Sequence, residues 1–255
     1  MQTSRARVSP LLAAILCGSI VTGAAQGANA PAAEAVPGSG QSYEVVTVQR
    51  PESVDAYQKP YRMLYETCAA LRKAKSLPPP APMAPLPADF VIRHKTYISD
   101  GAAWYFKEAF FSYDVDASAD APTCATRVRR HLTIEVVRDG MKVRTDVDDE
   151  GKRSAAPPEP ANPRRRRQEI HTVPKVVKGY AVKCPQVPAA GGAPLGEFCV
   201  ADLKPGTLYY NGQPIVVAGR DSMLEKLQGA TLIEPVLLKA GQQVDGSVFD
   251  AAGKR

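Results

Sequence analysis

Apolar and polar residues alternate most clearly between Arg127 and Glu150, in RVRRHLTIEVVRDGMKVRTDVDDE. Asp139-Gly140 interrupts the alternation and is typical of a type I′ turn, because both central residues of that turn need a positive φ. A two-residue loop fixes the register of the flanking strands and places Arg138 opposite Met141. The pattern therefore predicts an antiparallel hairpin.

The two faces of this hairpin differ in polarity. On one face Glu135 meets Arg144 and His131 meets Asp148, and such pairs of opposite charge suit a solvated surface. The other face is apolar apart from one threonine, and we expect it to be buried. Its pairs are Val136 with Val143, Ile134 with Thr145, and Leu132 with Val147.

A helix is predicted from Pro60 to about Lys75, because proline is tolerated in a first helical turn and basic residues favour the last one. The run LPPPAPMAPLP at 77–87 then predicts an extended connection, which is either a stiff spacer or a ligand for a proline-reading module. The apolar positions of the helix recur with helical spacing and form one stripe. They are Tyr61, Leu64, Tyr65, Cys68 and Leu71.

The segment between Phe90 and Val115 holds eight of the seventeen aromatic residues. Asp100-Gly101 within it predicts a second hairpin. Such a density of aromatic residues is more typical of a core or a sheet face than of a ligand platform, but if any surface of the protein binds a carbohydrate or a lipid, we expect it to be this one. The candidate ligand-binding residues are Tyr97, Trp104, Phe106 and Phe110.

The last third of the chain is again predicted as strands and turns. Asn211-Gly212 indicates a hairpin that places Leu208 opposite Ile215. The capping box Ser222-x-x-Glu225 indicates a short helix that ends at Gly229. Strands are expected at 169–173, 175–184, 230–239 and 243–249.

These elements predict an α+β fold that is mostly antiparallel β, with a curved sheet or half-open barrel packed on one N-terminal helix. We expect residues 43–255 to form a single exported domain. Proline-rich breaks interrupt it at 77–87 and at 154–167, and the second break is expected to be an exposed, poorly ordered loop or linker.

Residues 1–30 resemble a secretory signal peptide, with two early arginines, an apolar run from Leu11 to about Ala25, and small residues after it. Residues 31–42 are rich in Ala, Pro, Gly and Ser and are expected to be disordered. Cleavage leaves a product in the periplasm or outside the cell. Lipid anchoring through Cys17 is the less favoured alternative, because a bulky leucine precedes the cysteine.

Export implies an oxidising compartment, and four cysteines remain after the leader is removed. We expect Cys184 to pair with Cys199, which closes a loop that chain-entropy models value at about 3 kcal/mol. Cys68 then pairs with Cys124. A reactive thiol is disfavoured because no Cys-x-x-Cys motif or neighbouring histidine is present, and zinc is disfavoured because no two cysteines have ligand spacing.

Net charge adds one candidate contact. The chain has 32 basic and 26 acidic residues, and the leader removes two of the basic ones. The remaining excess of four equals the tract Arg164, Arg165, Arg166 and Arg167, so we expect no broad basic face for nucleic acid. The tract is either a solvated loop or a contact for a polyanion, such as glycolipid phosphates or the acidic surface of a partner.

The search for catalytic and metal-binding motifs is negative. His94, His131 and His171 lie far apart and lack metal-ligand spacing. The sequence has no Gly-x-Ser-x-Gly nucleophile elbow and no phosphate-binding glycine loop. Asp146-x-Asp148 begins like a calcium loop, but the twelfth position of that loop is not an acid. We expect no cofactor, no metal and no catalytic residue.

One helix followed by hairpins, with the alternating strand KGYAVKC at Lys178–Cys184, resembles the half-open barrels of periplasmic lipoprotein carriers. The resemblance implies an apolar cavity for an acyl chain, lined by the aromatic segment. The leading expectation is a non-catalytic exported binding or structural protein, whose partner is an envelope protein or lipid. A carrier of a lipid or acylated protein, and a hydrolase with a spatially assembled site, are the alternatives.

Overall fold

The computed structural model describes residues 41–118, 120–161, 171–185, 196–203 and 206–251, all within one compact unit that spans Ala35–Arg255. The predicted signal peptide at 1–30, Cys17 and the tract Arg164–Arg167 lie outside the described residues. Within the described ranges, twelve strands form one antiparallel sheet that curves without closing.

The strands follow the order β6-β5-β4-β3-β2-β1-β14-β13-β10-β9-β8, β7 also pairs with β5, and β11 and β12 form a separate hairpin. The elements in chain order are β1 (Ser42–Pro51), α1 (Val54–Ala74), β2 (Arg93–Asp100), β3 (Trp104–Val115), β4 (Thr126–Arg138), β5 (Met141–Val147), β6 (Arg153–Ala155), β7 (Glu159–Pro160), β8 (Thr172–Val177), β9 (Tyr180–Pro185), β10 (Gly196–Ala201), β11 (Tyr209–Tyr210), β12 (Gln213–Pro214), β13 (Val216–Asp221), α2 (Glu225–Gln228), β14 (Thr231–Ala240) and α3 (Ser247–Ala251).

Strands β4 and β5 form the central hairpin in the predicted register, with Arg138 opposite Met141 and Val136 opposite Val143. Asp139 and Gly140 have φ values of 52° and 73°, as a type I′ turn requires. Of the predicted apolar face, Val136 is buried and the other members are partly buried.

Two expectations about the polar face of this hairpin are wrong. Glu135 lies opposite Arg144 as predicted, but it is buried, because the sheet curves and brings Tyr210 over it. His131 does not pair with Asp148, since β5 ends one residue earlier. The Asp148 carboxylate instead accepts hydrogen bonds from backbone N–H groups of its own loop.

One apolar core joins the two halves of the sheet. Tyr43 and Val45 of β1 pack together with Val182 of β9 and Val217 of β13, although these strands are not neighbours of β1. We call the side of the sheet that carries this core the inner face. The Cys184–Cys199 disulfide joins neighbouring strands β9 and β10 within this core, so this part of the prediction is confirmed.

Helix α1 packs on the outer face of the sheet. It begins at Val54 rather than at the predicted Pro60, because the Ser53 side chain accepts a hydrogen bond from the Ala56 N–H and caps the helix earlier. Tyr57, in the turn that the prediction omitted, is one of its few buried residues. The others are Gln58 and Cys68.

The helix also carries the second disulfide. Cys68 is bonded to Cys124 in the loop before β4, with a Cα–Cα distance of 5.8 Å, and this predicted pairing is confirmed. Leu64 of the predicted apolar stripe is 42% exposed, although it lies on the same side of the helix as the buried Tyr57 and Cys68.

Several predicted boundaries in the last third are wrong. A hairpin turn at Lys178-Gly179, with φ values of 52° and 83°, shifts the strands predicted at 169–173 and 175–184 to β8 and β9. The strand predicted at 243–249 is a loop followed by α3, since the Asp245 carboxylate accepts hydrogen bonds from Ser247 at the start of that helix.

Two shorter features also differ from the prediction. Helix α2 ends before Gly229 as expected, but it begins after Leu224 without a side-chain cap, so the predicted capping box is wrong. Part of the predicted break at 154–167 forms β6 and β7 at one edge of the sheet, where β7 includes Pro160. The opposite edge is β8, which carries Pro174.

The predicted fold class is confirmed: an α+β chain with a curved, unclosed antiparallel sheet, a packed N-terminal helix and two disulfides. The hairpin at Asn211-Gly212 is also confirmed, and the N–H of Ile215 donates to the Leu208 carbonyl across it. None of the helices in the described ranges combines the length and apolarity that a membrane crossing needs.

Candidate functional site on the inner face

The inner face changes from apolar to charged along the strands β1 to β5. Residues directly opposite one another in a sheet share a face, so the register shows which side chains lie in one row. The row nearest the apolar core is Val45, Tyr97, Phe106, Glu135 and Arg144. The next rows are Thr47, Lys95, Glu108, Thr133 and Asp146, and then Gln49, Arg93, Phe110 and His131.

The inner face has two regions, the apolar end and the inner strip. The apolar end is the core of Tyr43, Val45, Val182, Val217 and Leu238. The inner strip is the polar and aromatic surface of β2 to β5 beyond that core. It consists of Arg93, Lys95, Glu108, Phe110, His131, Thr133, Glu135, Arg144 and Asp146.

Ion pairs run along the inner strip. Glu108 Oε1 lies 2.7 Å from Arg93 Nη1 and 3.7 Å from Lys95 Nζ. Arg144 Nε donates to Asp146 at 2.9 Å, and Thr133 Oγ1 donates to the same carboxylate. Each charge therefore has a partner of opposite sign within the strip.

These charges differ in how far they are removed from water, since the side chains of Arg93, Arg144 and Asp146 are 40%, 47% and 45% exposed. The side chain of Glu108 is 18% exposed, that of Glu135 is 11% exposed and that of Lys95 is 33% exposed. Burial lowers the pKa of the Lys95 ammonium, and the carboxylate of Glu108 opposes this effect. The hydrogen bonds from Arg144 hold the pKa of Asp146 below its usual range. Removing charges from water costs free energy. Burying these charges would therefore be unfavourable for a surface with a purely structural role.

An aromatic cluster lies between the strip and the apolar end. The rings of Tyr97 and Phe106 have centroids 5.0 Å apart, and Tyr210 of the β11–β12 hairpin lies 5.2 Å from Phe106. The Tyr210 hydroxyl donates to Glu135 at 2.7 Å. Burial raises the pKa of Tyr210, and the hydrogen bond to Glu135 raises it further. The hairpin thus places a phenol ring over part of the face.

A second aromatic group is found at the far side of the strip. The guanidinium carbon of Arg93 lies 4.8 Å from the centroid of the Phe110 ring, and His131 stacks beside that ring at 6.3 Å. A cleft of about 560 Å³ follows on the same strands, lined by Asp114, Arg129 and neighbouring residues. The polar face therefore extends along β3 from Phe106 to Asp114, about 27 Å at the usual rise of a strand.

The structure separates the four predicted ligand-binding residues. Tyr97 and Trp104 pack against the apolar core, and Phe106 is in ring contact with Tyr97 and Tyr210. Phe110 belongs to the inner strip. The sequence pattern gave no means of separating the packed aromatic residues from the one beside the charged groups.

The main residues that sequence reasoning missed are Arg93, Lys95, Glu108 and Tyr210. A usable signal exists for Glu108, since it recurs at a period of two between Phe106 and Phe110 and so shares their face. Nothing local predicts Tyr210, because it reaches Glu135 from 75 positions further along the chain.

Metal-ligating side chains form a single group within the described ranges, namely Cys184, Glu197 and Cys199. Its two cysteines are joined in a disulfide, so they do not offer thiolates to a metal. In the described part of the chain, none of the three histidines belongs to a group of this kind.

Comparisons of the chain with protein-family models, with curated proteins and with solved structures find no match. The geometry of the inner strip is therefore the basis of the function proposed below.

Proposed function

We propose that this protein is an exported, non-catalytic binding protein that holds a carbohydrate on the inner strip. The observation that carries the proposal is the ion-pair network of Arg93, Lys95 and Glu108 beside the partly buried ring of Phe110, over which the Arg93 guanidinium lies. Two disulfides favour an oxidising compartment outside the cytoplasm. The leader predicted at 1–30 supports export to the periplasm or the exterior.

The chemistry of the strip favours a hydroxyl-rich, uncharged ligand. Because acids and bases are already paired, the strip offers many hydrogen-bond donors and acceptors but no large charge of one sign. Phe110 adds a flat apolar ring, which fits the apolar face of a sugar ring. An extended peptide pairs with a sheet edge instead, through backbone hydrogen bonds.

The carrier hypothesis receives less support from the described residues. An acyl chain needs an apolar cavity, whereas the open part of the inner face is charged and Tyr210 covers the aromatic cluster next to it. The cleft that continues the face is lined by Asp114, Asp116, Arg127 and Arg129, which do not suit an acyl chain.

The test is a screen of the purified, labelled protein against immobilised oligosaccharides, including peptidoglycan and outer-membrane glycan fragments. We expect binding that the Arg93→Gln variant weakens by roughly tenfold or more, because the change removes a charged hydrogen-bond donor from the strip. Arg62→Gln is the matched control. Arg62 forms an ion pair with Asp55 at the same distance of 2.7 Å on α1, away from the inner face.

Two results contradict the proposal. One is the absence of binding to any glycan by a protein whose folding is verified by circular dichroism. The other is an equal loss of binding in Arg93→Gln and Arg62→Gln, since the inner strip is then not the binding surface.

A further inference from the structure

The proline-rich segment 77–87 has a backbone that its sequence almost completely determines. Six of its eleven residues are proline, and every other residue except Met83 directly precedes a proline. Proline fixes its own φ near −65° and excludes the helical region for the residue before it. The segment is therefore restricted to polyproline II geometry, which has three residues per turn.

The burial of the segment repeats with this period of three. Pro80 and Met83 are partly buried and Leu86 is buried, whereas all other residues from 77 to 87 are exposed. Leu86 and Met83 join the outer core of Tyr57 and Phe90. One edge of the polyproline helix is thus anchored in the protein.

The hydrogen bonds repeat with the same period, at the carbonyls of Pro78, Ala81, Ala84 and Pro87. Pro78 accepts from Arg72 Nε at 2.9 Å and Ala81 accepts from the Tyr65 hydroxyl at 2.7 Å. Ala84 accepts from Gln58 and from Tyr113, and Pro87 accepts from the N–H of Phe90. Helix α1 and strand β3 therefore hold the segment by its carbonyls, as proline-binding grooves hold their ligands.

The third edge of the helix is left to solvent. It carries Pro79, Pro82 and Pro85, which are all exposed and follow one another at intervals of three. We call these three residues the proline ridge. At about 3.1 Å per residue the ridge is roughly 19 Å long. A rod held in this way loses little conformational entropy when it binds.

We propose that the proline ridge docks into an aromatic-lined groove of a partner protein. The arrangement favours the ligand alternative over the stiff spacer, since a spacer does not need a carbonyl edge fixed by four side chains. Basic residues lie near the beginning of the ridge: Arg72 donates to the Pro78 and Pro122 carbonyls, Lys75 donates to the Asp120 carbonyl, and Lys73 is exposed. The partner groove is therefore expected to be acidic at the end that receives Leu77.

The probes for the test are isolated SH3, WW and EVH1 domains, which read polyproline II ligands through aromatic grooves. Each domain is labelled with ¹⁵N and titrated with the whole protein, and shifts of its groove residues are followed by NMR. We expect at least one domain to bind. The triple change Pro79→Ala, Pro82→Ala and Pro85→Ala is expected to weaken that binding at least tenfold.

The matched control is the double change Pro78→Ala and Pro87→Ala, which alters exposed prolines of the same segment on the carbonyl edge. It is expected to leave binding within threefold of the unchanged protein. The free peptide LPPPAPMAPLP is expected to bind at least fivefold more weakly than the whole protein, because it is not held in position. Thermal unfolding of each variant verifies that it is folded, and Pro82→Lys alone replaces the triple variant if that variant is unstable.

Three results overturn the proposal: no binding to any of the three domains, binding that survives the ridge changes in a folded protein, or equal binding of protein and free peptide. None of them bears on the carbohydrate proposal, because the ridge lies on the outer face and the inner strip is unchanged.

Discussion

At the apolar end of the inner face, Val45 packs against Val182 and Val217 from the other half of the sheet. A few ångströms along the same strands, Lys95 and Glu108 occupy equivalent inward positions and form an ion pair. In both regions, inward and outward side chains alternate along the strands, and the same strands are neighbours in the sheet. The difference shows that the apolar contacts of the inner face are concentrated at one end, and the other end is the surface on which we propose recognition.

The largest effect is expected in the unfolding of the protein at alkaline pH. Burial raises the pKa of Tyr43, Tyr97 and Tyr210 above the ordinary 10.0, so the folded protein keeps protons that the unfolded chain loses. Stability from these phenols is fully present below pH 10.0 and is lost as the pH rises. Lys95, with its lowered pKa, acts in the opposite direction until about pH 10.5, the ordinary lysine value.

Above about pH 10.5, the free energy of unfolding is expected to fall by about 4 kcal/mol per pH unit for three such phenols. Urea unfolding at several alkaline pH values measures the slope, and absorbance of the ionised phenol shows when the groups titrate. A stability that does not change with pH in this range would show that these tyrosines are open to solvent.

The next largest effect is expected at the apolar end. Leu238→Ala is predicted to lower the free energy of unfolding by about 3 kcal/mol, because Leu238 faces Val45 across the sheet in the buried core. Val236→Ala on the same strand is the control, since Val236 is 51% exposed. A change within about 0.5 kcal/mol is expected for it. Equal losses in the two variants would mean that the apolar end is not the main core.

The border between the two regions is predicted to be intermediate. Tyr210→Phe removes the hydroxyl that donates to the buried Glu135 carboxylate and is expected to cost about 2 kcal/mol. Tyr180→Phe, which removes an exposed hydrogen bond to the Val236 carbonyl, is expected to cost less. Chemical denaturation of both variants gives the difference. A reversed order would place the structural contact at Tyr180 instead.

The inner strip is expected to show the smallest change in stability. Lys95→Met removes a desolvated charge, and Glu108 keeps its shorter ion pair with Arg93. The free energy of unfolding is therefore predicted to rise by at most about 1 kcal/mol, because burying charged groups usually costs free energy. Glycan binding is expected to weaken. A large loss of stability without any loss of binding would make the strip a structural element.

The central hairpin shows how far the sequence alone reaches. Asp139-Gly140 and the alternating strands predict the complete register of β4 and β5, because a two-residue loop leaves no freedom in the pairing. The face of Glu135 was assigned incorrectly, since the tyrosine that buries it comes from the β11–β12 hairpin. Local polarity predicts strand pairing well, whereas burial depends on which distant element the curvature brings over the strand.

For helix α1 and the C-terminal segment, the boundaries or type of the predicted elements are wrong. Pro60 is predicted as the start of α1 because proline is common there, but Ser53 provides the cap about two turns earlier. At the other end, an apolar stretch that looked like a strand becomes α3 through the cap at Asp245. Short side-chain hydrogen bonds decided both boundaries, and residue propensities alone do not contain them.

The prolines at the sheet margins have a consequence for assembly. A sheet that curves without closing keeps two open margins, and each is a template on which a further strand from another molecule can add. Pro174 and Pro160 lie in the strands at these margins. Because proline has no N–H to offer, each interrupts the ladder that an incoming strand needs. An incomplete barrel is thereby kept from growing into a fibre, even when it is crowded among copies of itself.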